Sequence, residues 1–270
     1  MIVRKIKNIS RYLFLSIAAF VSIFPFVWMI IGATNTATDI TKGKYTLGSE
    51  LINNFNMLLE MVDLPQLLWN SAKIALGGMV LQLLIASLAG YGFEIYRNKI
   101  SEKVYTVLLL TMMVPFAALM IPLFKMFAGA QMLDSHIAVI IPTLATPFMI
   151  FFFRQSTKTF PTDLLQAARV DGLNEVQAFF RIYVPTMKST YAAAAILSFM
   201  TFWNSYLWPL IVLQSDGKKT LTLAISSLSS AYFPEYGVIM VAIIIATTPT
   251  LLVFFLLQRH FVAGMLGSIK

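Results

Sequence analysis

The sequence predicts an all-α membrane protein with six transmembrane helices, and three observations carry that expectation. Of the 270 residues, 58% are hydrophobic and only 12% charged, with a mean hydropathy of +0.77, whereas soluble domains average about 25% charged residues. The apolar residues collect in runs long enough to cross a bilayer, separated by polar, turn-rich stretches. Of the 20 Lys and Arg, only Lys42, Lys44, Lys73, Lys125, Lys218 and Lys219 fall in segments that would face outside. That bias places both termini in the cytoplasm and makes the number of spans even. It also explains the net charge of +8 without nucleic acid. The length suits one membrane domain, residues 1–270.

The spans follow in order at about 12–33, 72–93, 104–124, 137–153, 189–213 and 237–257. The first follows a basic stretch from Arg4 to Arg11 and is too long for the apolar core of a signal peptide, so it is read as a retained span kinked at Pro25. Residues 34–68 are polar and mixed and should lie outside, with Asn70-Ser71 opening the second span. Gly77-Gly78 to Gly90 is a small-residue face suited to close helix packing. The third span carries Met112, Met113, Pro115 and Pro122. The short fourth span holds Pro142 and Pro147, tolerated at membrane depth where neighbours satisfy the freed carbonyls. The fifth contains Trp203-Asn204 and Trp208-Pro209, and Pro249 kinks the sixth.

Between the fourth and fifth spans lies a polar stretch, 161–185, read as two short helices with a break between them. Pro161 closes the preceding segment, and Thr162 or Asp163 can cap the first helix. Gly172 after Asp171 supplies a left-handed helix end. Asn174 with Gln177 forms a second capping pair, and Pro185 marks the next boundary. Leu164, Ala167 and Ala168, at i, i+3 and i+4, make a small apolar patch. Periodicity alone leaves two readings open, a docking patch for another backbone or a helix lying on the membrane surface.

The spacing of Pro161, Asp163, Leu164, the triplet Gln166-Ala167-Ala168, Asp171-Gly172 and the distant Ile182 and Pro185 resembles the EAA loop of ABC-importer permeases. The carbohydrate-uptake permeases related to the maltose system share this pattern. The resemblance implies the type I ABC importer permease fold, with a coupling helix seated in a cleft of a cytoplasmic ATPase subunit. Gln166 stands where that family usually has Glu, which leaves a hydrogen bond in place of a charged contact. Ala89-Gly90-Tyr91 with Arg97, and the Trp-Asn and Trp-Pro pairs of the fifth span, resemble the same family. So does the tail, where Gly264, Gly267 and Lys270 would reach toward the ATPase.

The chemistry of an enzyme is missing. The two histidines, His136 and His260, sit in no metal-ligand pattern, no carboxylate pair lies inside a predicted span, and there is no cysteine. Without a Walker phosphate loop the chain itself holds no cofactor, so ATP and Mg would belong to a partner ATPase. Ionisable residues are also missing from the predicted span interiors, which disfavours an ion-coupled carrier. Neutral polar groups there suit an uncharged hydroxylated solute, and the pathway candidates are Met112, Met113, Ser198, Thr201, Trp203, Asn204 and Tyr206. The expectation is therefore a multi-pass inner-membrane permease subunit of a sugar importer. The resemblance implies as partners a second homologous permease, two ATPase subunits and an extracytoplasmic binding protein, the last touching residues 214–236. The alternatives are an ABC permease for a non-sugar solute and an ion-coupled carrier.

Overall fold

A computed structural model describes residues 2–267, with side chains described for residue 8 and residues 10–258. All regular structure among them is helical: α1 (Ile2–Ala33), α2 (Ala37–Thr41), α3 (Leu51–Met61), α4 (Leu64–Ile95), α5 (Lys99–Leu110), α6 (Phe116–Gly129), α7 (His136–Ile140), α8 (Pro147–Thr157), α9 (Asp163–Val170), α10 (Glu175–Ala178), α11 (Val184–Thr186), α12 (Lys188–Trp203), α13 (Leu207–Val212), α14 (Leu221–Ser229) and α15 (Tyr236–Gly267). The chain divides into two compact units, 1–64 with 224–248 and 65–223 with 249–270.

In the first unit, the stretch after α1 is a folded knot of side chains on backbone. Asn54 Nδ2 donates to the carbonyls of Ala33 (2.9 Å) and Asn35 (3.0 Å). Asn35 Nδ2 donates to those of Ile31 and Thr46, both at 2.8 Å. Gly237 lets α15 approach this knot closely, since a Cβ there would lie 2.5 Å from the Asn35 carbonyl oxygen. Every residue of α1 from Tyr12 to Val27 is exposed, and most of them are apolar.

The second unit departs from the expected spans in four places. The second span begins earlier than Ala72, because Pro65 suits the first turn of a helix and α4 starts at Leu64. Asn70 and Ser71 therefore lie inside the helix rather than at its start. The third span is not straight: α5 and α6 meet at 101°. Val114, before Pro115, takes the extended conformation (ψ 116°) that a following proline favours, and the helix ends there in a 3₁₀ turn, Thr111–Met113. The fourth span breaks by 49° at residues 144–146, between a 3₁₀ turn at Ile141–Thr143 and α8. The fifth pauses at Asn204–Tyr206 between α12 and α13. Among the described residues four helices are long and apolar enough to cross a membrane, and six if each bent pair counts as one.

Glycines set the close approaches inside this unit. A Cβ on Gly78 would fall 2.6 Å from the Phe202 ring, and one on Gly90 would fall 2.7 Å from the Arg154 amide nitrogen. Gly77 has only the end of Ile140 nearby, at 3.9 Å, so the small-residue face narrows to Gly78 and Gly90.

Candidate functional site

Residues 157–187 form a small folded body on the end of α8, α4 and α12. Its centre is a cluster of Tyr91, Phe160, Leu165, Ala168, Phe179 and Tyr183, each less than 6% exposed. Tyr183 stacks on Phe179 with ring centroids 5.3 Å apart, and the Tyr91 ring meets both at 4.9–5.2 Å. The Tyr183 hydroxyl shares a 2.7 Å hydrogen bond with Thr157 Oγ1. Burial raises the pKa of that phenol, so it stays neutral.

Within this body α9 turns Leu165 and Ala168 inward and leaves Asp163, Leu164, Gln166 and Ala167 exposed. The patch expected from Leu164, Ala167 and Ala168 is thus split. Leu165 and Ala168, three apart, share the inner stripe, and Ala168, at 4% exposure, is a packing residue.

The ends of α9 follow the sequence at one side only. Gly172 adopts φ +84°, and the Leu173 and Gly172 amides donate back to the carbonyls of Ala168 and Arg169, closing a Schellman end. At the other end Thr162 is already helical (φ −62°, ψ −23°), so its side chain makes no cap and neither does Asp163. Asn174 and Gln177 do form a reciprocal capping box at α10. Ile182 is half-buried against the cluster. Pro185 does not end the helix: a π turn over Phe179–Tyr183 precedes it and accommodates its ring, and the helical run continues through α11. Pro161, Asp171 and Pro185 are exposed.

Arg169 and Glu175 tie the two short helices together, with Nε to Oε1 at 2.8 Å, and Tyr96 donates its hydroxyl to the same carboxylate. Arg169 first, and then Tyr96, hold the Glu175 carboxyl below its ordinary pKa. Beside them lies a cleft of about 260 Å³ lined by Glu94, Thr157, Lys158, Thr162, Gln166 and Arg169.

Sequence reasoning missed a buried charge on α8, just ahead of this body. Arg154 lies one residue past the expected end of the fourth span, yet its side chain is only 4% exposed. Its Nε meets Glu94 at 3.0 Å, Nη2 pairs with Glu102, and the guanidinium sits 3.9 Å above the Tyr105 ring. Three helices, α4, α5 and α8, are thereby pinned at one buried charge. Gly90 carries the only local signal, since it lets α4 come against the Arg154 backbone.

The other predicted residues are spread out. Ser198 is fully buried, and Trp203, 5% exposed, stacks on Phe199 at 5.5 Å. Met112, Met113, Thr201 and Asn204 are exposed, and Tyr206 is half-buried. Gly264 and Gly267 fall in the last turns of α15, and Lys270 lies outside the described residues.

A second organised region lies near α13. Asp134, at φ +55°, accepts from the Gln214 and Ser215 amides, both at 3.0 Å, and from Ser215 Oγ, while Lys218 Nζ lies 3.2 Å away. From α4, Asn70 Nδ2 donates to the carbonyls of Gly217 (2.9 Å) and Lys219 (3.0 Å), and Ser71 Oγ accepts from the Leu221 amide (2.9 Å). The polar pair expected to open a span instead holds residues 217–221 in place.

Known proteins match this architecture over nearly its whole length. The chain is 60% identical to the lactose transport system permease protein LacG of Rhizobium radiobacter, over 99% of this chain and 98% of that one. It is 32% identical to the arabinooligosaccharides transport system permease protein AraQ of Bacillus subtilis, over 98% and 96%. A crystal structure of a bacterial ABC transporter involved in the import of the acidic polysaccharide alginate contains a chain of the same fold. Its TM-score is 0.81 at 20% identity, covering 95% of this chain and 97% of that one. The family described as binding-protein-dependent transport system inner membrane component matches residues 82–267. This chain belongs to that family and is a multi-pass membrane permease with the ABC importer permease fold.

Proposed function

We propose that this chain is one permease subunit of an ATP-driven, binding-protein-dependent sugar importer, with an oligosaccharide as its solute. The observation that carries the coupling role is the two-faced α9. Its inner stripe is fixed in an aromatic cluster, and its outer face offers Leu164, Gln166 and Ala167 to a partner. A partner that pushes on that outer face moves a packed body, and Arg154 of α8, the helix that leads into it, passes the displacement to α4 and α5. The partners would be a second homologous permease, two ATPase subunits holding ATP and Mg, and an extracytoplasmic binding protein that meets residues 214–236. Both termini and α9 would then be cytoplasmic. The sugar assignment is supported by the lactose and arabinooligosaccharide permeases among the relatives. ATP binding favours one state of the assembly only through a difference in binding between the two states.

The test is to purify the chain with its ATPase, add the binding protein, and measure ATP hydrolysis with lactose, arabinooligosaccharides and glycerol phosphate in turn. Stimulation by one oligosaccharide is expected. A complex that forms without any ATPase subunit, or stimulation by glycerol phosphate alone, would overturn the reading.

A further inference from the structure

The break in the fourth segment leaves two carbonyls without a helical donor. In an α-helix the carbonyl of residue i accepts from the amide of residue i+4, and proline has no N–H to give. Pro142 thus frees the carbonyl of Ala138, and the chain turns extended at Thr146 (ψ 131°) before α8, so the Thr143 carbonyl has no helical donor either. A freed carbonyl inside a membrane protein must find another donor or remain costly.

Each finds a side chain from a different helix. Trp208 of α13, 3% exposed, donates its indole Nε1–H to the Ala138 carbonyl at 2.9 Å. Gln82 of α4, 1% exposed, donates through Nε2 to the Thr143 carbonyl, with Thr146 Oγ1 3.2 Å from the same nitrogen. The orientation of that amide is fixed by its surroundings, because turning it over would set Oε1 against the Thr143 carbonyl oxygen. Pro115 behaves differently: the Thr111 carbonyl it frees accepts from the nearby Val114 amide at 3.1 Å, within its own segment.

We propose that Trp208 and Gln82 supply the donors that the break takes from the Ala138 and Thr143 carbonyls, and so latch the first half of the broken fourth segment to α13 and its broken end, through Thr143 and Thr146, to α4. The bend is then a fixed joint rather than a loose one. Its lower half, α8, carries Arg154 and leads to α9, so motion at α9 is transmitted across a joint that does not give. A break held only by its own backbone would absorb that motion.

A matched exchange of donors tests this. Gln82→Met and Trp208→Phe remove the donors, the second together with part of the ring, whereas Pro142→Ala restores the backbone N–H facing the Ala138 carbonyl and Pro147→Ala, in the first turn of α8, returns no bond and serves as the control. The full-length chain is unfolded in mixed detergent micelles for every combination. Each donor removal alone should lower the folded-to-unfolded ratio about tenfold, the scale of one unsatisfied buried carbonyl. Pro142→Ala should reduce the loss from Trp208→Phe and leave that from Gln82→Met unchanged, and Pro147→Ala should relieve neither. Where Trp208→Phe fails to accumulate in the membrane, yield recovered in the matched Pro142→Ala background alone reads the same rescue. Equal losses from Trp208→Phe in the Pro142→Ala and Pro147→Ala backgrounds, or no loss from removing either donor, would overturn the proposal. Unfolding does not require transport, so this result stands apart from the importer reading. Sugar uptake per inserted molecule, measured on the same set, rests on that reading and should show the same matched rescue.

Discussion

Residues 157–187 and residues 212–221 are both connections between long helices, and they are held by opposite forces. The first is built from the inside out: Phe160, Leu165, Ala168, Phe179 and Tyr183 surround Tyr91, and polar groups lie at the edge. The second has little apolar content and is hung from outside by Asp134, Asn70 and Ser71, which grip its backbone amides and carbonyls. A body packed around aromatic rings moves as a unit when pushed. A loop suspended on directional hydrogen bonds keeps one shape and yields one bond at a time. The first suits force transmission, and the second suits presentation of a fixed surface.

The largest effect that separates the two regions is at Ala168. Ala168→Arg sets an unpaired charge among Tyr91, Phe179 and Tyr183 and should cost about 3–5 kcal/mol. Little folded protein should then be recovered from the membrane, whereas Ala167→Arg on the exposed face should accumulate normally. Quantifying inserted protein for the two variants checks this, and equal recovery would erase the distinction between the faces of α9.

In the second region Asn70→Leu removes both bonds to the Gly217 and Lys219 carbonyls and should cost about 1–3 kcal/mol. Hydrogen exchange should quicken at residues 214–221 and stay unchanged at 163–187. A matching change in both regions would mean that they are not independently held.

The smallest effect is with pH. Asp134 is kept well below the ordinary carboxylate pKa, first by the Ser215 hydroxyl, then by the Ser215 and Gln214 amides and Lys218. A lowered pKa contributes stability that is complete above the unfolded value and fades as pH falls through the folded one. Exchange at the Gln214 and Ser215 amides should therefore be no less protected at pH 5 than at pH 8, once the intrinsic rate is allowed for, and should loosen only in stronger acid. Loosening between pH 7 and 5 would contradict the assignment of Asp134 as the anchor.

The two regions also differ in how far the sequence exposes them. Gly172 and the Asn174–Gln177 pair act within a few residues, so the turn and second cap of the first region are readable from residue type alone. Which of Ala167 and Ala168 faces inward is not, because adjacent residues differ by only about 100° around a helix. The partner side of α9 is decided by rings from Tyr91 and Tyr183, far along the chain. The second region was almost invisible: Asn70-Ser71 looks like a helix start, and its partners lie about 150 residues away. Pro142 and Pro147 mark the fourth segment for a kink, but nothing local gives its 49° break or the 101° between α5 and α6. Arg154 escaped because a charge at the edge of an apolar run ordinarily reads as exposed, and the two carboxylates that allow its burial come from α4 and α5.

The most direct measurement of the central claim uses the lack of native cysteine in the chain. Leu164→Cys, Ala167→Cys and Ala168→Cys are treated with a membrane-impermeant thiol reagent in sealed vesicles of known orientation, with and without the ATPase subunit. The account predicts that positions 164 and 167 react only from the cytoplasmic side, that the ATPase protects them, and that position 168 stays unreactive throughout. Labelling of 164 or 167 from the opposite side, or labelling that the ATPase leaves unchanged, would contradict it.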